Sequence, residues 1–334
     1  EASGCQVRPH FKTHQSAQVG EWLRQEGVTS ITVSSIQMAE YFANAGWTDI
    51  LIAIPANILL TDAMKELSHR LDRLIILADH PATLKALDGK VEAEVVIEVD
   101  TGSQRTGIPY DDIEIAKEMY AQLQGAISLK FAGFYSHAGH TYKARGAEAV
   151  LEAGNLALER INSLKDAVDA SAPIYFGDTP FASCAKTLEN VSVMTPGNFV
   201  FYDAMQLEIG SCEVGDVAVC LACPVISLHP ERNELAIHGG GVHLAKDTLD
   251  DNSYGLIVRM GATGWSDPLV GYRVRTISQE HGIISVPEGE MAQWKIGDVI
   301  GIMPVHSCMT AEAMAAYRTL NDQHVGHLKK EKPA

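Results

Sequence analysis

Residues 49–99 read DILIAIPANILLTDAMKELSHRLDRLIILADHPATLKALDGKVEAEVVIEV. Three short β-rich runs stand in this stretch, at Asp49–Ile54, Arg73–Leu77 and Ala93–Val99, and Thr61–Arg70 between the first two has helical spacing and a polar face. Strands that alternate with helices pair in parallel, because the chain returns along the sheet through each helix. Outward from this core the same alternation continues. Strand-like runs occur at Gln6–Phe11, Ser30–Ser34, Leu129–Tyr135, Pro173–Phe176 and Val191–Met194, and helical spacing occurs at Ser16–Gln25, Ile36–Ala45, Asp111–Gln124 and Glu148–Asp169. Eight strands alternating with helices over roughly the first 200 residues predict a (β/α)8 barrel of the TIM type, an α/β fold.

After about Tyr202 the texture changes. Val217–Ser227, Glu234–Ile237, Leu256–Met260, Tyr272–Ile277, Gly282–Ser285 and Val299–Pro304 are strand-like and joined by turn residues, residues 252–286 look like hairpins, and helical periodicity nearly vanishes until Thr310. This pattern predicts a mostly antiparallel β domain. The expected organisation is a barrel over residues 1–204 and a β domain over residues 205–334, with a frayed Lys-rich tail from Leu328. The chain opens at Glu1 in mid-pattern, so further residues are expected ahead of it.

The chain has 334 residues, 46% hydrophobic and 20% charged, which suits a globular protein and excludes a disordered or collagen-like one. The mostly apolar stretch Ile50–Leu60 contains Pro55 and falls short of the about 20 residues that a membrane-spanning helix needs. No membrane partner is expected. With 42 acidic and 26 basic residues the net charge is −16, which repels phosphate backbones, so no nucleic-acid partner is expected. The six cysteines, Cys5, Cys184, Cys212, Cys220, Cys223 and Cys308, are sparse and lie mostly in apolar runs, the pattern of reduced thiols in the cytoplasm.

Chemistry concentrates in a few places. Arg8-Pro9-His10-Phe11-Lys12-Thr13-His14 puts Lys12 at the C-terminal end of the first strand, the catalytic rim of such a barrel, where a lysine can serve as amine nucleophile or Schiff-base former; the plain alternative is a surface lysine. Gly177-Asp178-Thr179-Pro180 and Thr195-Pro196-Gly197-Asn198 follow strands seven and eight, where barrels of this type hold phosphate through backbone N–H groups, here with the Thr179 hydroxyl. Ordinary turn chemistry explains each loop taken singly. Asp100-Thr101-Gly102-Ser103-Gln104-Arg105-Thr106-Gly107 offers Arg105 to a cofactor or carboxylate, and Tyr135-Ser136-His137-Ala138-Gly139-His140-Thr141-Tyr142 crowds the same rim. In the β domain, His306-Ser307-Cys308 lies on or just after a strand, and in an extended segment His306 and Cys308 share one face, an imidazole and a thiol suited to Zn²⁺ in an open site. Cys220-x-x-Cys223 competes as a metal or redox motif, but its alternating apolar run favours core thiols. His238 and His243 flank a Gly239-Gly240-Gly241 turn, and Gln279-Glu280-His281-Gly282 forms another polar cluster.

Taken in order, Arg-Pro-His-Phe-Lys-Thr-His, Asp-Thr-Gly-Ser-Gln-Arg-Thr-Gly, His-Ala-Gly-His-Thr-Tyr, Gly-Asp-Thr-Pro, Thr-Pro-Gly-Asn-Phe-Val-Phe-Tyr-Asp, Glu-His-Gly and His-Ser-Cys make the chain resemble the D-serine dehydratase and D-threonine aldolase family, the metal-activated branch of the alanine-racemase-like pyridoxal-phosphate enzymes. The resemblance spans about residues 5–320 and implies a barrel followed by a β domain. It implies Lys12 as the Schiff-base lysine of pyridoxal 5'-phosphate, Thr179, Gly197 and Asn198 as phosphate holders, Arg105 or Tyr142 beside the cofactor ring, and Tyr202 closing the phosphate pocket. His306 and Cys308 would hold a divalent metal, Zn²⁺ first, with Mn²⁺ or Mg²⁺ as alternatives. Dehydratases of the family carry His-x-Cys here whereas aldolases more often place Asp second, which points to D-serine dehydration giving pyruvate and ammonia. A D-threonine or 3-hydroxy-D-amino-acid aldolase, an amino-acid racemase and a non-enzymatic pyridoxal-phosphate carrier are the rival readings. A homodimer acting on a small D-amino acid in the cytoplasm is the expected setting.

Overall fold

The computed structural model describes residues 5–330. By packing, the chain divides into a first unit that reaches Gly197 and a second that begins at Asn198. The sequence-based division lay after residue 204; the intervening residues include the short turn Asn198–Val200.

All eight expected strands are present in the first unit, as Gln6–Val7, Ile31–Val33, Asp49–Pro55, Arg73–Ala78, Ala93–Asp100, Leu129–His137, Ile174–Gly177 and Val193–Met194. They pair in parallel, each with its neighbour in the chain, and the first pairs with the eighth, Gln6 opposite Val193. The first strand is regular for only two residues, fewer than expected, because Pro9 has no N–H to give a ladder. Pro9 and Phe11 nonetheless bond Thr32 through their carbonyl and N–H, and a bridge at His10 closes the ring between strands one and two. Strands such as Leu74–Ala78 and Val95–Val99 are buried on both faces, as parallel strands between helices and barrel interior must be.

Helices occupy the expected segments, and serine or aspartate side chains cap several of them. Ser16 caps Ala17–Gln25, Ser35 caps Ile36–Asn44 and Asp112 caps Ile113–Gln124, each accepting a backbone N–H of the first turn. Pro81–Leu87 is a further helix, started by proline in its first turn. Inside the barrel, Leu51, Ile75, Leu77, Val96, Tyr135, Tyr175 and Val193 form an apolar plug. At the N-terminal ends of the strands, Arg8 bonds Asp49 at 2.6 Å and Arg73 bonds Glu94 at 2.6 Å.

The second unit is built on a seven-stranded antiparallel sheet, in the order Gly264–Trp265, Gly255–Gly261, Val299–Pro304, Leu221–His229, Glu234–His238, His281–Ser285 and Arg273–Ile277. Hairpins fall at Met260–Trp265 and Thr276–Ile283, inside the expected region. Two helices depart from the expected absence of helix before Thr310: Ala204–Ile209, capped by Asp203, and Ser307–Met314. The expected frayed tail is anchored where it is described, since Lys329 pairs with Glu312 and Lys330 bonds the Met314 carbonyl at that helix's C-terminal end. The rest of the tail lies outside the described residues. Among the described residues no helix is long and apolar enough to cross a membrane.

Candidate active site

The C-terminal ends of the barrel strands gather the first group of expected residues. Lys12 stands in the turn directly after the His10 bridge, half-buried, with its N–H toward His10 Nδ1 at 3.4 Å. Beneath it, Phe11 is fully buried against His14, Phe42 and Trp47 in edge-to-face contacts, which fixes the turn. Gly197 lets the loop after strand eight come down on this turn: a Cβ there would stand 3.1 Å from both His10 Cβ and Thr13 Oγ1, and the His10 N–H bonds Pro196 O at 2.8 Å. Thr179 is buried in the first turn of Thr179–Cys184, whose N-cap is Asp178.

Arg105 lies on an exposed loop, yet its charge reaches the mouth and is felt by His10, His137, Glu98 and Tyr135. Burial first, and then the charges of Lys12 and Arg105, hold His137 down to about 3, and burial with the charge of Lys12 holds His10 well below its ordinary range. Both imidazoles are therefore neutral at pH 7 and can accept or donate hydrogen bonds without adding charge. Tyr142 stands in the turn Gly139–Lys143, its ring 6.5 Å from that of His137.

Two carboxyls of this region carry no part in the expected site. Glu98, 3% exposed, points into the barrel from strand five; Oε1 accepts from Thr106 Oγ1 at 2.9 Å while Oε2 has no partner, and burial pushes its pKa up to about 7. Asp178 is equally buried and raised to about 7, again by burial. The signal for Glu98 was its parity, since alternate residues of a barrel strand face inward.

The second unit gathers a second group. His306 precedes Ser307–Met314 as its N-cap residue, in an extended conformation, and Cys308 is in the first turn. The expected extended His-x-Cys segment is thus corrected to a helix start. The two side chains still meet: burial opposes the charge of His306, but the Cys308 side chain and the carboxylates of Asp203 and Asp247 raise its pKa to about 9. Its Nδ1–H donates to Asp247 Oδ2 at 3.2 Å. Asn198, expected at the phosphate, donates its amide to Asp203 Oδ2 at 2.7 Å, to Ser307 Oγ at 3.0 Å and toward Cys308 Sγ at 3.6 Å. Buried Asp203 in turn accepts the Ser307 N–H at 2.9 Å, tying the helix start in place. Tyr202 adopts a left-handed backbone, φ 46°, and packs against Val217, Val258 and Met303.

Cys220 and Cys223 lie among apolar neighbours with thiols pushed up to about 12 by burial, which fits inert core thiols. His238, His243 and Glu280 bring their ligating atoms within 4.8 Å of one another. There, however, His243 Nδ1 accepts the Gly240 N–H at 3.2 Å, which leaves the proton on Nε2, facing Glu280 at 3.9 Å.

Residues 1–185 match the family described as "Alanine racemase, N-terminal domain", and residues 218–320 match that described as "Putative serine dehydratase domain". The chain is 28% identical to a D-serine dehydratase of Dictyostelium discoideum, over 96% of this chain and 88% of that one. It is 27% identical to a D-threo-3-hydroxyaspartate dehydratase of Delftia sp. (strain HT23), with the same two coverages. The solved structure of the latter superposes with a TM-score of 0.90 at 26% identity, covering 98% of this chain and 91% of that one, and a mutant of it in the metal-free form does so equally.

Proposed function

The chain belongs to the family of the alanine racemase N-terminal domain, and from that premise we propose that it is a lyase using pyridoxal 5'-phosphate and a divalent metal, a dehydratase of D-β-hydroxy amino acids that turns D-serine into pyruvate and ammonia. The observation that carries the reading is the imidazole and thiol of His306 and Cys308, brought together at a helix start with Asn198 and Asp247 on either ligand. A racemase has no need of that pair. The names of the relatives, dehydratases of D-serine and of D-threo-3-hydroxyaspartate, support the same reaction class.

Pyridoxal phosphate fits the barrel mouth. Lys12 offers an amine for its aldehyde, Arg105 contributes a second cation, and the raised pKa values of Glu98 and Asp178 spare its phosphate part of the negative charge there. When bound, the cofactor delocalises the electron pair left at the substrate Cα. Lys12 would hold the cofactor and, with its amine freed by the substrate, would take the Cα proton. Thr179 and the Gly197 loop would hold its phosphate, and Arg105 or Tyr142 would stand beside its ring. A soft thiolate with an imidazole suits Zn²⁺ at His306 and Cys308, and such a metal is a Lewis acid that makes hydroxide a better leaving group. We assign the barrel to the cofactor and the β domain to the metal. The chain works as a cytoplasmic homodimer; sparse thiols support the first term, and the second rests on two-fold dimers being the commonest homo-oligomers and on an exposed apolar turn in which Leu59 is 87% exposed.

The test is a panel of D- and L-β-hydroxy amino acids assayed with and without chelator. Ammonia with a keto acid, from D-substrates and only with metal, is expected; glycine with an aldehyde would replace the reading by an aldolase.

A further inference from the structure

We infer that Asp247 is the positioning residue of the metal centre: its carboxylate keeps the His306 proton on Nδ1 and so turns the Nε2 lone pair to the ion beside Cys308. The inference rests on the reading above that His306 and Cys308 take a metal.

A metal takes the neutral imidazole, which has one N–H and one lone pair, and the partner of the first decides where the second points. Here the partner of Nδ1 is a carboxylate oxygen at 3.2 Å, and a carboxylate only accepts. That leaves Nε2 as the ligand atom. The His238, His243 and Glu280 cluster of the same unit shows the opposite case, since a backbone N–H donates to His243 Nδ1 and puts the proton on the nitrogen a metal would need.

The Asp247 contact is held from both sides by the core. Leu249, two residues after Asp247, and Val305, one residue before His306, are 7% and 3% exposed and pack in one cluster with Ala204. Leu249 also closes a turn, bonding Ser253 O through its N–H at 2.9 Å and accepting from Asn252 at 2.8 Å. Side chains 59 residues apart thus meet across a fixed frame. The thiol has its own partner, Asn198 Nδ2 at 3.6 Å, so each ligand is oriented by a polar neighbour. Outer carboxylates of this kind fix ring orientation and raise ligand basicity, and their loss typically weakens a metal about 10- to 100-fold.

The experiment measures Zn²⁺ affinity of the full-length holoprotein by competition with a chelating indicator, for wild type and for Asp247→Ala, Asp247→Asn, His306→Ala and Cys308→Ala. His306→Ala and Cys308→Ala should lose the site. Asp247→Ala should weaken it about 10- to 100-fold. Asp247→Asn, whose carbonyl still accepts from Nδ1–H, should recover part of that loss. Borohydride labelling of Lys12 should be unchanged in Asp247→Ala, which shows that the variant folds. Nitrogen NMR of labelled histidine should place the metal on Nε2 of His306. Ligand variants that lose the site while Asp247→Ala stays within about twofold of wild type, or metal on Nδ1, would overturn the role of Asp247 and leave the metal reading standing. Ligand variants with wild-type affinity would overturn both.

Discussion

The two ends of the barrel treat charge in opposite ways. At the N-terminal end, fully buried Arg8 bonds Asp49, and Arg73 bonds Glu94 and stands 3.8 Å from Asp49, so each acid faces a base. At the C-terminal end, Lys12 and Arg105 face neutral His10 and His137, and Glu98 is buried with one oxygen unpartnered. At the first end the charges are paired as they stand, although Arg8 Nε has no hydrogen-bond partner. The other is arranged for a ligand that brings its own charge, and such local inconsistency is what functional sites display. Substitutions at the first end should therefore cost stability, and substitutions at the second should cost activity.

The largest effect should come from Lys12→Ala, with activity falling by at least about 10³-fold, since the proposed roles in cofactor attachment and Cα-proton transfer would both be lost. Borohydride should then trap no cofactor on the chain, as peptide mapping can check. A trapped adduct on another lysine would remove the functional half of the contrast. At the opposite end, Arg8→Ala leaves Asp49 without its strongest partner and should cost about 3 kcal/mol in denaturant unfolding, with kcat/KM of the folded protein near wild type. A stable but inactive Arg8→Ala protein would erase the distinction between the ends.

Glu98 gives a pH test. Its pKa is raised from 4.5 to about 7 by burial, so the folded state holds a proton that the unfolded state releases earlier. Its contribution to stability is intact below about pH 4.5 and is lost as pH rises towards 7. Glu98→Gln should remove that decline, read as a flatter thermal midpoint against pH in cofactor-free protein. An unchanged slope would show that Glu98 does not titrate in this window. The smallest effect belongs to Cys220→Ala, which should leave metal content and activity unchanged; loss of metal would reinstate the Cys-x-x-Cys motif as a ligand pair.

Much of the barrel was legible because its strands are Val- and Ile-rich runs buried on both faces, bounded by turn residues. The first turn of helix Ser307–Met314, ahead of the periodicity that resumes at Thr310, escapes the pattern because its buried residue is Ser307 and not an apolar one. That omission led to the right neighbours, His306 and Cys308, for the wrong geometrical reason. Asn198 is expected at the phosphate from its loop alone; that loop gives no sign that the side-chain amide also bonds Ser307 and reaches Cys308, more than 100 positions away. Asp247 left no local signal at all, since only the packing of Leu249 on Val305 brings it to His306. Glu98 could have been found, because an acidic residue at an inward position of a barrel strand conflicts with the apolar pattern around it.

The measurement that bears most directly on the central claim is Cα-deuterium exchange of D-serine followed beside pyruvate release, in metal-loaded and chelated protein. If Lys12 moves the Cα proton and the metal at His306 and Cys308 assists only departure of the hydroxyl, chelation should leave exchange running while pyruvate release falls steeply, and Cys308→Ala should reproduce that split. Pyruvate release undiminished in metal-free protein would contradict the account.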